Sequence, residues 1–303
     1  MTSVSVIIPT YNRAEMLAQV LPSYLQFAVV GEVLIVDDGC TDGTADLVAG
    51  LAQVDPRIKA LKHRVNQGMT YARNTGIQNA QGDLVLFSED DLALAPGSLD
   101  LLVAHMQQSG ADIIAGRRIW MRIGESQEQA LARADSQRWP VVNTRLMEHY
   151  SHAVTPDDVA APLVNATMLM RREVLETVQF ANCYPGNAWR EESDFQLSAQ
   201  AQGFKVAFCP HALFFHYDRA IAGRGSNRLR SDLRYLYWIY RNNLTFLRRH
   251  RDYLRRELPE ALILNSPTLT NLVYILYRGA LLAQTEIRRA VLSRRQRTAT
   301  LSN

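Results

Sequence analysis

Three cysteines in 303 residues (Cys40, Cys183 and Cys209) are odd in number, far apart and without C-x-x-C spacing. That spacing indicates neither a disulfide framework nor a zinc site. The formal net charge is only +3, too small to argue for nucleic acid. No G-x-G-x-x-G follows a strand-like run, which disfavours a dinucleotide oxidoreductase. A nucleophile elbow and a Ser-His-Asp pattern are also lacking. No basic segment leads into an apolar run at the N-terminus, so no secretory signal is read and a cytoplasmic protein is expected. The apolar stretch Leu269 to Ala283 is broken by Thr270, Asn271 and Arg278, and falls short of the roughly 20 residues that span a bilayer. Internal repeats and low-complexity tracts are absent. What remains is an ordinary globular composition, 47% hydrophobic and 21% charged, in a chain long enough to bury a sizeable core.

The first half alternates strand and helix patterns. Val4-Ser5-Val6-Ile7-Ile8 is a short apolar run ended by Pro9. A helix is expected from about Ala14 to Phe27, with Asn12 and Glu15 spaced as a capping box. Glu32 to Val36 is a second strand ending in Asp37-Asp38-Gly39, and Ile58 to Leu61 a third. Helices are expected over Thr44 to Ala52 and Met69 to Ala80, and a strand over Leu84 to Phe87. This order implies right-handed βαβ units and a mostly parallel α/β sheet. Ligands sit beyond the carboxyl ends of such strands, so Pro9-Thr10-Tyr11, Asp37-Asp38-Gly39 and Glu89-Asp90-Asp91 should open onto one crevice.

The last of these is the most telling. An apolar strand runs directly into three carboxylates, and clustered like charges repel and cost free energy to desolvate. A divalent cation holding an anionic ligand removes that objection, and hard ions such as Mn²⁺ or Mg²⁺ suit oxygen-rich sites. A solvated acidic turn explains the segment equally well when it is taken alone.

The ordered set of segments resembles the family 2 glycosyltransferases of the GT-A fold. The matching pieces are Val6 to Arg13, Val36 to Thr44, Asn66-Gln67-Gly68, Ala72-Arg73-Asn74, Gly82-Asp83, Glu89-Asp90-Asp91, Arg190 to Phe195 and His216. The resemblance covers about residues 3 to 217. It implies helices on both faces of a nucleotide-binding sheet, with a catalytic domain over residues 1–227. Within that domain the donor half is expected over about 1–116 and the acceptor half over 117–227.

The resemblance also implies roles. Pro9, Thr10, Tyr11 and Asp38 line a nucleotide pocket, with Tyr11 stacking on the base; turn formation and core packing are the bland alternatives. Asn66 and Gly68 are donor-binding, and Arg73, on the helix that follows, approaches base or phosphate or is a solvated helical charge. Glu89 and Asp90 face the ribose, and Asp91 is the metal ligand, although Glu89 departs from the family's Asp-x-Asp pattern. Glu192 is the catalytic base, supported by Glu191 and Asp194; an acidic helix start favoured by the macrodipole is the other reading. His216 joins the metal shell or is structural, Trp189 is an acceptor platform or core, and Arg224 in a glycine-rich loop folds over the diphosphate or lies in a plain connector. The implied reaction is inverting transfer of a sugar from a UDP- or dTDP-type donor to a carbohydrate or lipid-linked hydroxyl. Mn²⁺ or Mg²⁺ is the implied cofactor, and synthesis of cell-surface polysaccharide or glycolipid the implied setting.

Residues 228–303 read as a basic helical extension. Leu229, Leu233, Leu236, Tyr240, Leu244, Leu247, Leu254 and Leu258 fall at helical spacing, interleaved with arginines. A second pattern ends in Arg288, Arg289, Arg294, Arg295 and Arg297. Three readings stay open: a peripheral contact with an anionic inner membrane surface, packing on the catalytic domain, and a dimer face. Two rivals to the functional reading also remain. One is a sugar-phosphate nucleotidyltransferase, although no glycine follows the first strand. The other is a nucleotide-sugar-binding protein without catalysis, against which Asp91 and Glu192 argue.

Overall fold

A computed structural model describes residues 2–136, 140–217, 233–281 and 283. β1 (Val4–Thr10) leads to α1 (Ala14–Val20) and α2 (Pro22–Leu25), and β2 (Val30–Asp37) to α3 (Thr44–Val54). β3 (Ile58–Lys62), α4 (Met69–Asn79), β4 (Leu84–Phe87), β5 (Leu92–Leu94), α5 (Ser98–Ser109) and β6 (Ile113–Trp120) complete the first half. α6 (Gln127–Asp135), the small hairpin β7 (Val142–Asn143) and β8 (Glu148–His149), β9 (Val159–Ala160) and β10 (Met168–Arg171) follow. Next come α7 (Arg172–Thr177), α8 (Glu191–Ala201), β11 (Val206–His216), α9 (Leu233–Arg249) and α10 (Arg251–Glu257). Residues 267–281 are also helical.

One sheet organises these elements in the order β3-β2-β1-β4-β10-β6-β11-β5, with β9 added against β11. β3, β2, β1 and β4 are parallel neighbours, whereas β10 inserts antiparallel between β4 and β6. β6 and β11 are parallel again. Period-two alternation divides the side chains between two cores. Val6, Ile8, Val33, Ile35 and Leu86 face one side under α1, α2, α3 and α5, while Ile7, Leu34, Val36, Val85 and Phe87 face the other under α4 and α8. Each such fully buried side chain stabilises the fold by about 1.5–3 kcal/mol. The parallel register pairs Thr10 with Asp37 and Ile7 with Phe87, so the three polar strand ends share one edge.

One local expectation is corrected. Asn12 does not cap α1: it sits at φ 55°, its Oδ1 accepts from the Thr41 amide at 2.7 Å, and the helix starts behind Arg13. The side chain serves the β2–α3 loop instead. A capping box lies instead at Ser126 and Gln129, at the start of α6.

The C-terminal helices pack on the rest of the chain. Phe246, Leu247, Leu254, Ala261 and Leu262 share a core with Met147, Leu163, Tyr184 and Leu197. The inner face of α9 differs from the leucine pattern: Tyr235, Ile239, Asn242, Asn243 and Phe246 are buried, and Leu236, Tyr240 and Leu244 only partly so. Polar pairing moves the face. Asn243 accepts from Arg190 Nε at 2.8 Å and donates to Asn271 at 2.8 Å, while Asn242 donates to the Pro185 carbonyl at 2.9 Å. Arginines 234, 241, 248, 249, 251, 255 and 256 are exposed. Among the described residues no helix is long and apolar enough to cross a membrane. Leu229 and the arginines at 288, 289, 294, 295 and 297 lie outside the described residues.

Candidate active site

A cleft of about 470 Å³ opens at the carboxyl edge of the sheet. Pro9, Thr10 and Tyr11 border it from β1, Asp38 from β2, and Asn66, Gly68 and Arg73 from the approach to α4 and its first turns. Glu89, Asp90 and Asp91 form its floor between β4 and β5; Trp189, Glu191 and Glu192 at the start of α8, and His216 at the end of β11, face them. Fourteen of the residues singled out from sequence thus meet in one place. Of the others, Asp194 lies outside the lining and Arg224 outside the described residues.

The acidic turn is held by cations of the chain itself. Arg13 Nη1 lies 2.6 Å from Asp90 and 2.7 Å from Asp91, and Thr10 Oγ1 donates to Asp90 at 2.8 Å. Arg118 Nη2 is 2.8 Å from Glu89, and His216 Nε2 stands 3.1 Å from Glu89 and 3.3 Å from Asp91. These partners divide the carboxylates. Burial opposes ionisation of Glu89, but Arg118 and His216 hold its pKa well below the usual carboxylate range. Burial dominates at Asp90, which is pushed up to about 6 despite Arg13, with Asp91 adding to the rise. Tyr24, wholly buried, anchors the turn from beneath through Ser88 at 2.7 Å and the Leu92 carbonyl at 2.5 Å.

The same turn fits a cation. Glu89, Asp91 and His216 each offer one ligand atom, and these atoms lie within 4.8 Å of one another. Two carboxylate oxygens and an imidazole nitrogen suit Mn²⁺ well and Mg²⁺ less well.

On the nucleotide side, Asp38 is a brace. Its oxygens accept from the Gln67 amide at 2.9 Å and the Gly68 amide at 2.8 Å, and His63 Nδ1 lies 2.7 Å away. Gly39 permits this closeness: it sits at φ 77°, and a Cβ there would come within 2.6 Å of the Asn66 nitrogen. Tyr11 is 40% exposed at the rim, so its ring is not core.

Opposite, α8 begins from a strained loop. Gly186, Ala188 and Arg190 all have positive φ, at 76°, 52° and 76°. Arg190 fixes the loop by bonding the Leu146 carbonyl at 2.9 Å and lying 5.0 Å from the rings of Phe246 and Tyr274. This aims the first turn of α8 at the cleft, with Glu191 buried and Glu192 half-buried. Arg73, read from sequence as reaching base or phosphate, is only 1% exposed and its Nη1 is paired with Glu191 Oε1. It lies 5.1 Å from the Phe180 ring and 5.9 Å from that of Phe87, so its charge is engaged inside the protein. Burial pushes the Glu191 carboxyl up to about 8 against the pull of Arg73, with Glu192 and Glu89 adding to the rise. Its Oε2 has no hydrogen-bond partner among the described residues.

Asp194 is the one supporting acid that turns away. Its Oδ1 accepts from Tyr184 at 2.7 Å, Arg249 at 2.8 Å and His250 at 2.7 Å, tying α8 to the C-terminal helices. On α8 Asp194 lies about 160° around the axis from Glu192, so it meets Arg249 and His250 of the C-terminal helices while Glu192 borders the cleft. Trp189 borders the cleft with Arg278 4.8 Å from its ring, so an acceptor has only part of the indole available. Sequence reasoning missed Arg13, Arg118, His149 and Tyr235 as cleft residues. Only Arg118 carried a sequence signal, being a charged residue inside the apolar strand Ile113–Trp120.

Comparison with known proteins decides the family. The Glycosyl transferase family 2 profile matches residues 5–179. The chain belongs to this family. An uncharacterized glycosyltransferase of Rickettsia conorii is 37% identical over 109 residues, 36% of this chain and 18% of that one. A GalNAc(5)-diNAcBac-PP-undecaprenol beta-1,3-glucosyltransferase of Campylobacter jejuni is 32% identical over 115 residues, 37% of this chain and 38% of that protein. The chain spans less than half the length of the curated relatives it matches. A mannosyltransferase from Pyrobaculum calidifontis, solved with GDP-Man and Mn²⁺, superposes with a TM-score of 0.57 at 19% identity, over 96% of this chain and 80% of its own. S. aureus TarS 1-349 in complex with UDP-GlcNAc gives 0.56 at 17% identity, over 91% and 81%. At these identities the likeness establishes the GT-A fold of this family 2 glycosyltransferase.

Proposed function

We propose that the chain is an inverting glycosyltransferase that moves a sugar from a nucleotide-diphosphate donor, of UDP or dTDP type, to a hydroxyl of a carbohydrate or lipid-linked acceptor. The observation that carries this reading is that Asp91 and Glu192 border the same cleft from opposite elements. The exposed ring of Tyr11, beside Thr10 and Asp38, suits stacking on a nucleobase, and the Asn66 to Gly68 loop suits the ribose and phosphates. Glu192 receives the acceptor proton as the acceptor oxygen bonds the anomeric carbon. The bond from that carbon to the diphosphate oxygen breaks with its electron pair, so one displacement inverts the centre. Glu191, held by Arg73, sets the first turn of α8 and keeps Glu192 directed to the cleft. Asp91 and His216, with Glu89, would hold Mn²⁺ or Mg²⁺, which when bound supplies charge compensation for the departing diphosphate. Arg224 remains the proposed diphosphate contact, Trp189 the acceptor platform, and residues 1–227 the catalytic unit.

Glu192→Gln tests the reading. Turnover should fall by about 10²–10⁴-fold, the range of a lost general base, with donor affinity retained. Turnover within threefold of the parent would move the base elsewhere.

A further inference from the structure

Behind the catalytic edge, three chemically different side chains converge on β11. β9 pairs antiparallel with β11, Ala207 opposite Ala160 and Phe208 opposite Val159, so the next register step sets Asp158 beside Cys209. At that point β11 leaves its ladder with β6, the register shifting between Cys209 and Leu213. α5 supplies His105 from the flank of its buried Leu102–Met106 stripe, and its Nδ1 lies 2.5 Å from Asp158 Oδ2. One ligand atom each from His105, Asp158 and Cys209 falls within 4.8 Å of the others. Cys209 is fully buried, and Asp158 Oδ1 is a buried oxygen with no hydrogen-bond partner among the described residues. The exposed ring of His211 stands 6.4 Å from that of His105.

We infer that His105, Asp158 and Cys209 form a second metal site, separate from the acidic turn, that takes a borderline-soft divalent ion of the Zn²⁺ type. Imidazole, carboxylate and thiolate are the three donor types zinc accepts, and three protein ligands leave a fourth position to water or to His211. Hard ions would find one oxygen donor and a thiol there, so the donor set separates this site from the one at Glu89, Asp91 and His216. Binding removes the thiol proton and ties α5, β9 and β11 together, so the ion stabilises the fold. Sequence spacing could not reveal the site, because each ligand comes from a different element.

Titration of the purified full chain with Co²⁺ tests it, since only a coordinated thiolate gives an intense near-ultraviolet charge-transfer band. A band saturating at one ion per chain, bleached by Zn²⁺, is expected from the parent and from Cys40→Ser/Cys183→Ser. Asp91→Asn should also keep it. Cys209→Ser should abolish the band, and His105→Ala should weaken Co²⁺ affinity by at least about tenfold. Zn²⁺ should raise Tm more in the parent than in these two variants. No band from the parent, or an undiminished one from Cys209→Ser, overturns the site. Should Cys209→Ser fail to fold, the partly exposed His105→Ala decides, and unchanged affinity there overturns it as well.

Discussion

The buried guanidinium of Arg73 is paired with the carboxylate of Glu191, joining α4 on the donor side of the cleft to the first turn of α8 on the opposite side. Both side chains are almost wholly removed from water, so neither can lose the other cheaply. Breaking such a pair from one side strands a charge and costs about 3–5 kcal/mol, whereas replacing both is far milder. Glu191→Gln leaves the guanidinium charged and should therefore lower unfolding free energy by about that amount, and Arg73→Met/Glu191→Gln should recover more than half of it. Urea denaturation measures both. A single-variant loss below about 1 kcal/mol would mean the pair contributes little.

Asp194 gives a pH signature. Burial by itself raises its pKa, but the hydrogen bonds from His250, Arg249 and Tyr184 win and hold it below the usual value. A carboxyl with a depressed folded pKa stabilises the native state above its unfolded pKa of about 3.9, and that stability is lost as pH falls through the folded value. Acid unfolding below about pH 4 should thus be shallower in Asp194→Asn than in the parent. At pH 7 the variant should be less stable by about 1.5–3 kcal/mol. Parallel acid-unfolding curves for the two proteins would contradict this.

Much of this geometry was legible beforehand, for a physical reason. Val4 to Ile8, Glu32 to Val36 and Leu84 to Phe87 are apolar runs ended by polar turns, and local pattern is enough to place such strands at one edge. Glu89 to Asp91 and Glu191-Glu192 stood out because clustered carboxylates are costly without a partner. Of their partners, His216 and Arg118 left some trace in the sequence, but Arg13 left none. Arg13 resembles any surface arginine until Asp90 and Asp91 are brought to it by the β1–β4 pairing. The inner face of α9 was misread because Asn242 and Asn243, polar by composition, are buried through bonds to distant loops.

Gly39 should tolerate no side chain. Its left-handed φ is unfavourable for alanine, and the new Cβ would press on the Val65–Asn66 backbone at 2.6 Å. Gly39→Ala should cost more than about 1 kcal/mol. Because the displaced segment carries Asn66 and Gly68, nucleotide-sugar affinity should fall as well. Isothermal titration with UDP-sugars checks the second effect; normal affinity in a folded variant would detach the loop from the donor pocket.

The exposed arginines allow a membrane test that deletion does not. Removing residues 228–303 would strip Phe246, Leu247 and Leu254 from a shared core and leave Arg190 and Asp194 short of partners, so a truncated chain reports folding as much as binding. Arg248, Arg251, Arg255 and Arg256 instead project from the outer face of α9 and α10. Each basic residue near an anionic bilayer contributes about 1 kcal/mol, so changing all four to Gln should weaken binding to phosphatidylserine vesicles by roughly 100- to 1,000-fold. The effect should shrink in high salt, as screening requires. Equal vesicle binding by parent and variant at low salt would leave these arginines as solvated surface, with the helices serving only to brace α8.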